Sequence, residues 1–197
     1  MVADSLAPDA VRPLLSGRFG EIYRYEERCL STQRLLQAED PEGAVAVTEE
    51  QSEGRGRLGR SWHAPAGTSV LVSIALRPPV ESAQLPELSL IAGGAVAEAI
   101  AGTTGLEPAI KFPNDVLLDG KKVAGILAES SNGRVVLGIG VNANQTAEQL
   151  PADAQTEPTS LRLELGRPVD RAHLLAAILL QVERAYDAWV TGTSASG

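Results

Sequence analysis

Apolar and polar residues alternate over residues 20–28 and again over 68–76, the period of two that a half-buried strand requires. Residues 43–48 form a continuous apolar run, which reads as a buried strand. The second alternating stretch ends at Arg77-Pro78-Pro79, where proline supplies no ladder donor. The period then lengthens: residues 85–103 form the clearest helix of the first half, and an amphipathic helix spans 170–190. Between them, short strands are predicted at 107–111, 116–118, 122–129 and 135–141, with hairpin turns at Asp119-Gly120 and Asn132-Gly133. Residues up to 17 suit a loose helix or arm. Ser31-Thr32 opens another helix, with a hydroxyl placed to cap the free amides of residues 33–36. Hairpin-joined strands with helices before and after them make an α+β domain on a mixed, largely antiparallel sheet flanked by helices.

Composition narrows the partners. The chain has 197 residues, enough for one core of ordinary size, and a net charge of −8, which argues against general affinity for DNA or RNA. Two Trp, three Tyr and two Phe leave little for base stacking, so an RNA-binding role for any arginine loop is disfavoured. No run is long and apolar enough to span a bilayer, and no basic-then-apolar leader opens the chain, so a cytoplasmic protein without a membrane role is expected. Cys29 has no second cysteine to pair with, and His63 and His173 lie far apart, so no structural zinc is implied. Only the tail at 191–197 is low in complexity. Fourteen Arg stand against three Lys, and all three Lys (Lys111, Lys121, Lys122) fall within twelve residues. That cluster is either a place that wants a compact ammonium or a chance grouping in an arginine-preferring genome.

The densest chemistry lies at Gln51 and the run Gly54-Arg55-Gly56-Arg57-Leu58-Gly59-Arg60-Ser61-Trp62. Glycines free the backbone to approach a ligand closely, and arginines offer forked donors to carboxylate or phosphate oxygens. The spacing of Gly54, Gly56 and Gly59 also fits the dinucleotide fingerprint. Context rejects that reading, because Pro65, Gly67 and a strand follow where a helix should open. A Walker loop is excluded for want of a closing Gly-Lys-Ser/Thr. Taken alone, the segment is an anion clamp or a solvated, RNA-contacting turn.

Two further motifs decide between these: Lys111-Phe112-Pro113-Asn114-Asp115, and Lys121-Lys122-Val123-Ala124-Gly125-Ile126-Leu127. With the Gly/Arg loop, in this order and spacing, they resemble the signature of biotin–protein ligases. The likeness extends from Ser31-Thr32 through Gly138-Ile139-Gly140-Val141-Asn142 to Thr159-Ser160-Leu161, covering roughly residues 22–190. It implies a single catalytic domain, core about residues 20–190, related in fold to class II aminoacyl-tRNA synthetases. It also implies a two-step reaction: biotin and MgATP give biotinyl-5′-adenylate and pyrophosphate, and a lysine of a biotin carboxyl carrier protein, as in acetyl-CoA carboxylase, then takes the acyl group.

Carried over residue by residue, the resemblance makes Lys122 the central catalytic cation and Arg57 the direct anion contact. Ser31, Thr32, Gln33, Gln51, Arg55, Gly56, Arg57, Leu58, Lys122 and Gly125 are expected to bind biotin. Arg57, Arg60, Trp62, Lys111, Asn114, Asp115 and Asn142 are expected to bind ATP, with Asp115 the Mg²⁺ ligand. The loop is expected to be mobile when empty. Phe112 stands where the family usually has Trp, preserving an aromatic plug, and Leu58 replaces a second arginine found in some members. Neither a helix-turn-helix domain before residue 20, and hence a repressor role, nor the family's small C-terminal β-barrel is expected. Two alternatives share the fold: a lipoate or octanoate ligase or transferase, which would lack such a loop, and a non-catalytic biotin-binding module.

Overall fold

A computed structural model describes residues 4–79, 84–131 and 133–194. Seven strands form one sheet in the order β1-β2-β3-β7-β6-β5-β4. They are β1 (Tyr23–Cys29), β2 (Val45–Gln51), β3 (Ser69–Leu76), β4 (Ala109–Lys111), β5 (Asp115–Leu118), β6 (Lys121–Ser131) and β7 (Arg134–Asn142). Only β1 and β2 run parallel, and every other neighbouring pair is antiparallel, so the sheet is mixed and largely antiparallel as expected. The hairpin turn between β6 and β7 keeps Gly133 at φ 73°, while Asn132 of that predicted turn lies outside the described residues.

Two long helices, α3 (Leu85–Thr104) and α5 (Arg171–Ser194), pack against each other and against one face of the sheet. Val70, Val72, Ile74 and Leu76 of β3 point into that core together with Val96 and Ile100 of α3 and Leu175, Ile178 and Leu179 of α5. Every residue of β3 is buried, because the opposite face is also covered. There Ala75 packs with Leu36, Ala44 and Ala46, and the short helix α2 (Thr32–Leu35) lies over β3 and β7. No helix among the described residues is long and apolar enough to cross a membrane.

The N-terminal arm forms one helical turn, α1 (Pro8–Val11), followed by a 3-10 turn. Helix α2 is a single turn without the predicted hydroxyl cap; the Thr32 N–H instead donates to Gln51 Oε1 at 2.8 Å. A further short helix, α4 (Leu161–Leu165), is capped by the Ser160 hydroxyl, which accepts from the Leu163 N–H. Sequence patterning misses α4 because one and a half turns carry too few apolar positions to show a period.

Candidate active site

The candidate site lies on the face of the sheet away from α3 and α5, where β6 and β7 carry glycine instead of side chains. Gly125 and Gly140 are register partners, and Gly138 stands opposite Leu127. A Cβ on Gly140 would come within 2.6 Å of the Trp62 ring, and one on Gly125 within 3.0 Å of the same ring. A Cβ on Gly138 would meet Gln33 Nε2 at 3.2 Å. These glycines form a floor on which Trp62 and Gln33 lie directly against backbone. Sequence reasoning assigned Gly125 to the site and took Gly138 and Gly140 only as part of the family likeness, although small residues at every second position of an apolar strand are the available signal.

A bulge brings Lys122 to this face. In a regular strand, residues 122 and 125 would point to opposite sides. The β5–β6 register shifts between Val116 and Leu117, pairing Val116 with Ala124 and Leu117 with Lys122, so Val123 is the additional residue. Lys122 and Gly125 consequently share the cavity lining, while Val123 and Ala124 are both buried in the helix-side core. The backbone of Lys122 is also stitched to the loop before α4: its N–H donates to Glu157 O at 2.7 Å, and its carbonyl accepts from the Thr159 N–H at 2.9 Å.

Two cavities meet at Trp62 and Lys122. The inner one, about 60 Å³, is lined by Ser31, Thr32, Gln33, Gln51, Arg55, Gly56, Arg57, Asn114, Lys122 and Gly125, among others. That is well below the roughly 300 Å³ of an ordinary small-molecule pocket, so the inner cavity is narrow in the ligand-free protein. The outer one, about 530 Å³, is lined by Arg60, Trp62, His63, Asp115, Lys122 and Asn142 on one side and residues 153–156 on the other. The latter segment was not foreseen as part of a site, since nothing in its sequence marks it; the bonds to the Lys122 backbone place it there.

Residues 54–62 close on themselves as a small hairpin. Gly56 N–H donates to Arg60 O at 2.7 Å, and Trp62 N–H to Gly54 O at 2.9 Å. Gly54 is required because a Cβ there would lie 2.2 Å from Trp62 O. Two side chains tether the hairpin: Arg55 holds both carboxylate oxygens of Glu129 on β6 at 3.0 and 3.1 Å, and Arg57 donates to Asn114 Oδ1 at 3.2 Å. Leu58 stands at the tip of this hairpin. It is 85% exposed in a left-handed conformation, φ 58°, outside the inner cavity and on the wall of a further, open cavity beside the loop.

Lys122, Arg55, Arg57 and Lys111 are each met by a partner within the protein. Lys122 Nζ sits 2.7 Å from Asp115 Oδ1 and 5.6 Å from the centre of the Trp62 ring. Asn114 is fixed by its Nδ2 donating to Ile126 O at 2.9 Å, which turns Oδ1 toward Arg57. Lys111 reaches Thr156 Oγ1 at 3.0 Å, alongside the outer cavity. Asn142 borders that cavity, and its amide bonds internally, donating to Thr159 O at 2.9 Å and accepting from Gln145 Nε2 at 3.0 Å. These bonds hold the loop and leave one Nδ2 hydrogen unused by them. Phe112 is 70% exposed.

Three buried polar atoms at the site lack a hydrogen-bond partner among the described residues: both amide atoms of Gln33 and the Trp62 indole nitrogen. Buried polar groups are satisfied in the great majority of native proteins, so these are groups awaiting a ligand or water.

A family model, the Biotin/lipoate A/B protein ligase family, matches residues 22–145. The chain is 37% identical over 181 residues to the bifunctional ligase/repressor BirA of Bacillus spizizenii, covering 87% of this chain and 56% of that protein. It is 39% identical over 163 residues to the biotin–[acetyl-CoA-carboxylase] ligase of Mycobacterium tuberculosis, covering 79% of this chain and 59% of that one. The chain thus spans little more than half the length of these two relatives. Its fold is similar to that of the biotin protein ligase from Aquifex aeolicus in complex with biotin and ATP. The TM-score is 0.77 at 32% identity, over 85% of this chain and 71% of that one.

Proposed function

The chain belongs to the Biotin/lipoate A/B protein ligase family, and on that premise we propose that it is a biotin–protein ligase. It activates biotin with ATP and passes the acyl group to a lysine of a biotin carboxyl carrier protein. The observation that carries this reading is the Gln33 amide, buried against Gly138 with both its donor and its acceptor unused. A cyclic urea presents an N–H beside a carbonyl and satisfies such an amide on both sides. The dithiolane of lipoate offers neither, and would leave Gln33 unpaired at a cost of about 1–3 kcal/mol. Ser31, Thr32 and Gln51 supply further polar groups around the same ring.

In the first step the biotin carboxylate oxygen attacks the α-phosphorus of ATP, forming the acyl–phosphate bond as the bond to pyrophosphate breaks. Two anions must meet, so orientation and charge neutralisation supply most of the rate. Lys122 stands where the inner and outer cavities join, and serves both anions once it leaves Asp115. Arg57 closes over the anion, and Arg60 and Lys111 border the nucleotide side. Trp62 gives adenine an aromatic face. In the second step a carrier lysine amine attacks the acyl carbon, AMP leaves, and the amine loses a proton.

Mg²⁺ fits as an ion carried mainly by the substrate's phosphates, since the outer cavity offers it the hard oxygen of the Asp115 carboxylate. When bound, it would neutralise charge on the phosphates. Asp115 would hold it, through the carboxylate whose Oδ1 meets Lys122.

The test is biotin-dependent release of pyrophosphate from ATP, followed by mass analysis of a carrier domain. Turnover with biotin and none with lipoate is expected. Turnover with lipoate would establish the lipoyl reading, and biotin binding without pyrophosphate release would make the protein a binding module.

A further inference from the structure

The orientation of the Gln51 amide is set by the backbone of Thr32. The Thr32 N–H can only donate, and the atom 2.8 Å from it is therefore Gln51 Oε1. Thr32 Oγ1 donates to the same oxygen at 3.2 Å. With its single proton given to Gln51, the 2.7 Å contact between Thr32 Oγ1 and Ser73 Oγ, in which either hydroxyl can donate, then carries the proton of Ser73. Ser73 is fully buried on β3, one step from the glycine floor, with its Oγ 3.8 Å from the place a Cβ of Gly138 would take. The chain of donors runs one way, from Ser73 to Thr32 to Gln51. Its far end is Gln51 Nε2, which borders the inner cavity beside Gly54, at 3.0 Å from where a Cβ would stand.

We infer that Ser73 is a positioning residue that acts through Thr32 to fix the Gln51 amide with its N–H groups facing the pocket. The ligand atom opposite Gln51 must accept a hydrogen bond. Without the Ser73 proton, Thr32 Oγ1 loses its donor and is free to rotate. One of the two bonds holding Gln51 Oε1 then weakens, and the amide, still facing the Thr32 N–H, is held less firmly in the pocket. This rests on the biotin reading for the identity of the ligand, though not for the relay itself.

Two measurements separate them. In the ligand-free protein, the Gln51 side-chain amide resonances, assigned by their disappearance in Gln51→Ala, are compared between parent and Ser73→Ala. A clear shift is expected; unchanged resonances would overturn the relay whether or not biotin binds. Biotin affinity is then measured by calorimetry. Ser73→Ala is expected to weaken it about five-fold, with ATP affinity unchanged. In a Gln51→Ala background the same substitution should add less than about two-fold, since its route to the ligand is gone. An undiminished penalty in that background would show that Ser73 acts otherwise. No biotin binding by the parent would overturn the proposed substrate, leaving the relay to be decided by the resonances.

Discussion

Gly140 carries as much of the site as any charged group does. Its missing side chain lets the Trp62 ring rest on the sheet within 2.6 Å of where a methyl would stand. Gly140→Ala should therefore lift Trp62 off the floor at a cost of about 1–3 kcal/mol. The expected result is roughly ten-fold weaker binding of nucleotide and a changed Trp62 fluorescence, with the fold intact by circular dichroism. Unchanged fluorescence and affinity would mean that the ring does not use the glycine floor. The charged residues were readable in the sequence because arginine, lysine and glycine in fixed order resemble a known family. Ser73 and Glu129 were not: a serine in a buried strand and a glutamate near a strand end are ordinary there. Only their partners, Thr32 and Arg55, make them part of the site.

At the scale of elements, the Gly/Arg hairpin is held by the Arg55–Glu129 pair outside and the Arg57–Asn114 bond inside. The pair is bidentate but half-exposed, so its contribution is modest and sensitive to salt. Glu129→Gln is expected to speed release of bound biotin about two- to three-fold at low salt, and the difference from the parent should vanish near 1 M salt. A loss that persists at high salt would assign Glu129 a different role. The segment between α2 and β2 is pinned by Asp40, whose carboxylate accepts from Arg24 and from the Gln37 N–H. The hydrogen bond from Arg24 holds this carboxyl below the usual carboxylate range, against the opposing effect of burial. Its contribution to stability is complete above the ordinary value near 4 and is lost as pH falls through the lowered one. Asp40→Asn should melt lower than the parent at neutral pH, with the gap closing in strong acid; a gap independent of pH would exclude this ion pair as its source. Strands and long helices were legible because their periods repeat. The bulge at Val123 was not, since it appears only when β5 is laid beside β6.

Across the whole molecule, one buried cation ties the start of the chain to the site-bearing sheet. Arg171, at the first turn of α5 and fully buried, bonds Glu49 of β2 at 2.6 Å and Asp4 at 2.8 Å, while Glu49 also accepts from the Leu6 N–H. Removing it would leave the Glu49 carboxylate buried without its counter-charge, so Arg171→Ala should cost about 3–5 kcal/mol by urea unfolding. A cost below about 1 kcal/mol would show that the arm is not anchored this way. Sequence reading found an arm and a helix here but not their link, because 167 positions separate Asp4 from Arg171.

The central claim is that Lys122, carried into the cavity by a strand bulge and held ready by Asp115, brings two anions together. The most direct measurement is single-turnover formation of biotinyl-adenylate from radiolabelled ATP by parent and Lys122→Ala, with biotin affinity measured in parallel. The account predicts a rate at least about a hundred-fold lower in the variant, with biotin affinity reduced far less. Equal rates in the two proteins would contradict it.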